Sequence, residues 1–180
     1  MSGFKVLNPE DFGLNPLTDI AGRWWLVGAG REGDYNVMTA SWGHLGSLWG
    51  RKADTDHRWG LPSATIFIRP QRYTREFLDR EDFFTLSILT PEYHRDLGYL
   101  GSHSGREGDK LSHTGLTPYF EDGMVGVQEA EYILKCRKLY AAPLNPDGFC
   151  DQEIKAWAYP DADFHILYVG EVVQLLGRVE

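Results

Sequence analysis

Residues 26–36, Leu-Val-Gly-Ala-Gly-Arg-Glu-Gly-Asp-Tyr-Asn, constrain the fold more than any other stretch of the chain. Gly28, Gly30 and Gly33 form a G-x-G-x-x-G array directly after the apolar run Trp24-Trp25-Leu26-Val27. Asp54 lies at roughly the 20-residue spacing expected of a ribose-binding carboxylate. Such an array has two structural solutions. In a doubly wound α/β sheet, a helix starts inside the motif and its free N–H groups hold a pyrophosphate. In an antiparallel sheet, the glycines turn the chain back between two strands. The residues after Gly33 decide the matter: Asp34-Tyr35-Asn36-Val37-Met38-Thr39 is a poor helix interior and a good turn followed by a strand. From Asn36 to Trp42 the residue types alternate between two faces, the period of a strand. The segment therefore predicts a hairpin, with strands over 24–29 and 35–42.

The rest of the chain continues in short strands. Residues 63–69 predict a third strand ended by Pro70. Thr74 reads as the N-cap of a short helix over 75–80, with Phe77 and Leu78 facing inward. Residues 83–89 are rich in β-formers. Thr90, Pro91 and Glu92 provide a cap, a first-turn proline and an acidic first turn for a helix over 92–99. A glycine- and serine-bearing loop over 101–110 follows, then strand-like runs near 124–128, 130–140 and 164–176. With 180 residues, no repeat and no low-complexity linker, the chain suits one domain over 1–180. The expected architecture is mostly antiparallel β, a barrel or folded sheet with a few helices.

The formal net charge of −8 argues against nucleic acid or an anionic membrane as the main partner. A phosphate-bearing ligand would need a local basic pocket set against that field. The two cysteines, Cys136 and Cys150, form no C-x-x-C unit, which fits a reduced, cytoplasmic protein. No basic n-region leads into an apolar segment at the start, and no apolar run approaches the ~20 residues of a membrane span. The six histidines, His44, His57, His94, His103, His113 and His165, are scattered outside any H-E-x-x-H pair, and no metal site is expected. No G-x-S-x-G elbow is present either.

Three segments carry candidate chemistry. Arg69-Pro70-Gln71-Arg72-Tyr73-Thr74 joins a strand to a helix, where arginines offer forked donors and the helix start adds positive charge. Ser104-Gly105-Arg106-Glu107-Gly108-Asp109-Lys110 lets backbone N–H groups approach an anion closely, with Arg106 and Lys110 beside them. Both segments fit ordinary turns with solvated arginines equally well. The third, Thr39-Ala40-Ser41 next to Trp42, leaves room and hydrogen-bond partners for a flat ligand, or else supplies small core positions.

In order and spacing these pieces resemble the flavin reductase-like family of FMN-binding split-barrel proteins, especially its flavoredoxin branch. The resemblance rests on residues 36–43, Phe67-Ile68-Arg69-Pro70-Gln71-Arg72-Tyr73-Thr74, and residues 83–89. It continues through Tyr99-Leu100-Gly101-Ser102, Ser104-Gly105-Arg106, Asp109-Lys110 and residues 163–173. It implies a six-stranded antiparallel Greek-key barrel with a few short helices, a homodimer, and FMN near the dimer interface. By that resemblance Thr39, Ala40, Ser41 and Trp42, with Asn36 on the same strand, line the isoalloxazine and ribityl side. Arg69, Arg72, Tyr73 and Thr74 approach the phosphate. Ser87, Ile88 and Leu89 lie alongside the flavin, Ser87 standing where many relatives carry asparagine. Ser102, Ser104, Gly105 and Lys110 close the phosphate end.

The resemblance implies NAD(P)H-dependent flavin reduction, with hydride passing from nicotinamide C4 to flavin N5, a reaction that needs no acid–base triad. His165 is then a candidate for the nicotinamide side, or simply an exposed histidine. Cys136 either approaches the flavin or is a buried inert thiol. The alternative is a flavoredoxin-type carrier that takes electrons from a redox protein partner, to which an acidic surface would suit a basic donor. A flavin-free binding module on the same barrel is a third possibility.

Overall fold

The computed structural model describes residues 3–50 and 60–179. Asp54 and His57 lie outside the described residues. The glycine array is a hairpin: β2 (Trp25–Arg31) and β3 (Asp34–Ala40) pair antiparallel from Trp25↔Ala40 to Arg31↔Asp34. The turn is Glu32-Gly33, and Gly33 has φ +82°, a conformation that glycine adopts without steric cost. Gly28 answers a different need. A Cβ there would stand 2.1 Å from the carbonyl oxygen of Val125, because another backbone lies across this strand.

The remaining strands are β1 (Phe4–Val6), β4 (Gly43–Leu48), β5 (Leu61–Ile68), β6 (Phe83–Ile88), β7 (Pro118–Glu121), β8 (Met124–Val127), β9 (Tyr132–Pro143) and β10 (Ile166–Arg178). Eight of the ten form one antiparallel sheet in the order β3-β2-β6-β9-β10-β5-β4, with β1 added to the far end of β10. Six of them, β3-β2-β6-β9-β10-β5, enclose a core that includes Trp25, Val27, Ile66, Phe84, Leu134 and Tyr168. Two register shifts along β10, at Val169/Gly170 and Val172/Gln174, let the longest strands bend around that core. β3 and β5 approach each other without a ladder, which leaves the barrel split along that seam. The fold is a mainly β split barrel, as the resemblance implies, extended by β1 and β4.

β2 is buried on both faces. Trp25, Val27 and Ala29 face the barrel, while Leu26 joins a second core with Val37, Leu97, Leu100 and the β7–β8 hairpin. Two-sided burial explains why its sequence is a continuous apolar run instead of an alternating one. Among the described residues four α-helices decorate the sheet: α1 (Asp19–Arg23), α2 (Thr74–Arg80), α3 (His94–Ser102) and α4 (Gln152–Ala158). α2 buries Phe77 and Leu78 as expected, but Thr74 is not its cap. The cap position is Tyr73, and the buried Thr74 hydroxyl accepts instead from Asn36 Nδ2 at 2.6 Å. The expected helix over 92–99 is a 3-10 turn, Pro91–Tyr93, running into α3, and the Thr90 hydroxyl caps neither. Among the described residues no helix is long and apolar enough to cross a membrane.

Candidate functional site

The seam between β3 and β5 opens into two adjoining hollows. The first, about 230 Å3, is lined by Met38, Thr39, Ala40, Ser41, Trp42, Phe67, Arg69, Arg72 and His165. The second, about 170 Å3, is lined by Asn36, Met38, Arg72, Tyr73, Thr74, Ser102, Ser104, Gly105 and Lys110, with Gln71, Leu100, His103 and Glu107. Met38 and Arg72 belong to both, so the two hollows meet at those side chains.

Each wall is held by a specific contact. Thr39 Oγ1 donates to the Leu97 carbonyl at 2.6 Å, tying β3 to α3. Asn36, buried, bridges β3 to α2 through Thr74. Its Oδ1 stands 2.1 Å from where a Cβ of Gly105 would be, so the 104–107 turn can lie this close only because residue 105 is glycine. Within that turn the Arg106 amide donates to Ser104 Oγ at 3.2 Å.

The four cations near the hollows are not equivalent. Arg69 forms an ion pair with Asp163 and donates through Nη2 to the Ala158 carbonyl at 2.9 Å. Arg106 pairs with Glu76 and lies 4.7 Å over the Tyr73 ring. Among the described residues the Arg72 side chain makes one hydrogen bond, Nη1 to the Gly101 carbonyl at 3.0 Å, leaving most of its guanidinium N–H donors free. Lys110 is buried, and its Nζ donates to the carbonyls of Leu100 at 2.7 Å and His103 at 3.1 Å. Burial, and secondly the Arg72 guanidinium, lower its pKa to about 8. Two cations lining one hollow form a local positive field inside an acidic protein, and an anion between them would relieve it.

At the far end of the first hollow, His165 is buried with its ring 5.0 Å from that of Trp42, and Nδ1 lies 2.8 Å from the Tyr159 hydroxyl. Burial, then the nearby Arg69, lower its pKa to about 4, so the imidazole is neutral at pH 7. His165 is therefore not a surface histidine.

Most of the residues expected from the sequence thus come together. Asn36, Thr39, Ala40, Ser41, Trp42, Arg69, Arg72, Tyr73, Thr74, Ser102, Ser104, Gly105, Lys110 and His165 all line one hollow or the other. Ser87, Ile88 and Leu89 do not. They are fully buried, Ile88 in the barrel core and Leu89 in the second core, while Ser87 packs beneath Gly126 with its hydroxyl unpartnered. β6 lies on the far side of β2 from β3, so the seam cannot reach it. Cys136 is buried in the barrel, and burial pushes its thiol pKa well up. It is the inert alternative of the two. Sequence reasoning missed Met38 and Phe67, whose placement depends on which strand edges meet, and Tyr159, which follows α4, a helix that Asp151 caps.

The comparisons agree with this fold. The model of the family described as "Flavin reductase like domain" matches residues 62–179. No curated protein sequence matches significantly. Among solved structures, a flavoredoxin from Methanosarcina acetivorans superposes with TM-score 0.61 at 17% identity, covering 85% of this chain and 67% of its own. An FMN-binding domain of flavin reductases-like enzyme from Shewanella baltica gives TM-score 0.64 at 18% identity, covering 98% and 78%. An FMN-binding protein from Thermus thermophilus with bound 1-cyclohex-2-enone gives 0.62 at 23%, covering 95% and 76%. At these identities the superpositions establish the fold alone. The family model spans most of the chain, including β5, α2, α3, β9 and β10, and the chain belongs to the flavin reductase-like domain family.

Proposed function

We propose that the chain is an FMN-dependent oxidoreductase that reduces flavin with NADH or NADPH. The observation that carries this reading is the pair of hollows joined at Met38 and Arg72, one bearing cations and hydroxyls, the other small residues beside aromatic ones. FMN has the same two-part chemistry, a phosphate on a flexible ribityl arm and a flat ring. Arg72 and Lys110 would hold the phosphate, assisted by the hydroxyls of Ser102 and Ser104. The glycine at 105 supports the fit, since it keeps this wall free of a side chain. Thr39 to Trp42 would line the ring, which needs small residues to lie close to a strand. FMN bound there would supply the redox chemistry as the hydride acceptor.

The protein's own residues then orient and shield. Arg69 is locked to Asp163 and Ala158, so it shapes the wall and carries little of the phosphate charge. His165, neutral at pH 7, acts by hydrogen bonding and not as a cationic acid. Binding of FMN by the purified protein, followed by anaerobic addition of NADH or NADPH, tests the reading: bleaching of the bound flavin supports it. Failure to take up FMN sinks it.

A second reading, a flavoredoxin-type carrier fed by a protein donor, is favoured by the net charge of −8, which suits docking to a basic partner. Flavin that binds but is not bleached by either nicotinamide would favour it. The exposed Trp42 and Leu17 line one apolar hollow beside the site, as expected if a second copy of the chain covers it in a homodimer. Light scattering would show the dimer. Two free cysteines suit the cytoplasm.

A further inference from the structure

Tyr159 and His165 form a buried pair, and their hydrogen-bond inventory has one solution. Tyr159 is buried immediately after α4, and among the described residues its hydroxyl is within hydrogen-bond distance of His165 Nδ1 alone. If Nδ1 carried the imidazole proton, the phenolic O–H would be left buried without an acceptor, at a full desolvation cost. The second ring nitrogen, Nε2, makes no hydrogen bond among the described residues and is not closed off from solvent, and His165 lines the first hollow.

We propose that Tyr159 is a positioning residue: its hydroxyl donates to Nδ1 of His165 and fixes the imidazole in the tautomer protonated on Nε2, so that Nε2–H is a standing donor for an acceptor atom of the ligand in the hollow. The acceptor class is a carbonyl oxygen or an unprotonated ring nitrogen of a flat heterocycle. The ring cannot serve both ways, because the tautomer that would accept at Nε2 strands the tyrosine proton. The other groups around the imidazole are Arg69, Arg72, Asp163 and the Trp42 ring, and none of them makes a hydrogen bond to either ring nitrogen. The ligand-facing half of this inference rests on the flavin reading, whereas the tautomer does not.

The test is Tyr159→Phe, which keeps the ring stacked on Phe164 at 4.8 Å and beneath Arg69 at 5.3 Å. Nitrogen-15 NMR of the imidazoles, without ligand and at pH 7, reports the tautomer directly. The expected result is a single Nε2–H tautomer in the parent protein. In the variant both tautomers should be present and the His165 pKa should rise by roughly half to one unit, with only a small fall in melting temperature from the lost hydrogen bond. A parent protein protonated on Nδ1, or a variant with the same tautomer and pKa, would overturn the proposal. Titration with FMN separates the two readings: movement of the Nε2 signal supports both. FMN that fails to bind overturns the flavin reading while the tautomer result stands, and FMN that binds with the Nε2 signal unmoved overturns the donor role.

Discussion

Arg72→Ala isolates the phosphate end of the proposed site. Arg72 stands where the two hollows meet, and among the described residues its side chain makes a single hydrogen bond, to the Gly101 carbonyl, from an exposed position. Removing it should cost little stability, within about 1 kcal/mol for that one bond. Toward a bound phosphate it is the cation with the most free donors, because Arg69 and Arg106 are paired to Asp163 and Glu76. A charged hydrogen bond contributes about 1.5–3 kcal/mol. At about 1.4 kcal/mol per decade, losing one such bond weakens FMN binding by roughly 10- to 150-fold. The assay is titration of apoprotein with FMN, followed by quenching of flavin fluorescence, beside a thermal melt of the same sample. Unchanged affinity with an unchanged melt would refute the placement of phosphate at Arg72. Lys110→Met supplies the contrast: Lys110 is buried on the carbonyls of Leu100 and His103, so its loss should lower affinity and melting temperature together.

Four further outcomes follow from the same structure. FMN affinity should fall as pH rises through about 8, where Lys110 loses its charge, and Lys110→Met should flatten that dependence. The unfolded chain protonates His165 below its ordinary value of 6.5 but the folded one only near 4, so stability should drop as pH falls through that window. Urea unfolding of the parent and of His165→Gln, compared at the two ends of the window, checks the slope. Gly105→Ala drives a Cβ to 2.1 Å from Asn36 Oδ1 and should cost about 1–3 kcal/mol, read by denaturant unfolding, with weaker FMN binding as the turn shifts. A thiol reagent should label the exposed Cys150 and spare the buried Cys136, as mass spectrometry of the labelled native protein would show.

The strands that position the site were legible because their local chemistry agrees with their tertiary role. β3 follows a glycine turn and alternates, and β5 ends at a proline, so both termini that line the seam could be placed from residue types alone. β4 was not legible: Gly-His-Leu-Gly-Ser-Leu contains two glycines and no β-branched residue, and it is a strand only because β5 supplies the ladder. α4 carried a readable start that was overlooked, since Asp151 accepts from the amides of Glu153 and Ile154. Thr74 shows the limit of cap signals: the same hydroxyl that would cap a helix satisfies a buried asparagine 38 positions earlier in the chain. The Ser87–Leu89 assignment came from resemblance, and no local feature indicates that β6 is buried by β8 on one side and the barrel core on the other. Tyr159 meets His165 across the short turn between α4 and β10, a contact that periodicity cannot encode.

The most direct measurement is the visible absorbance of the purified protein with FMN, before and after anaerobic NADH or NADPH. The account predicts one FMN bound per chain, removed in large part by Arg72→Ala, and bleaching by a nicotinamide. Protein that stays colourless after incubation with FMN would contradict it.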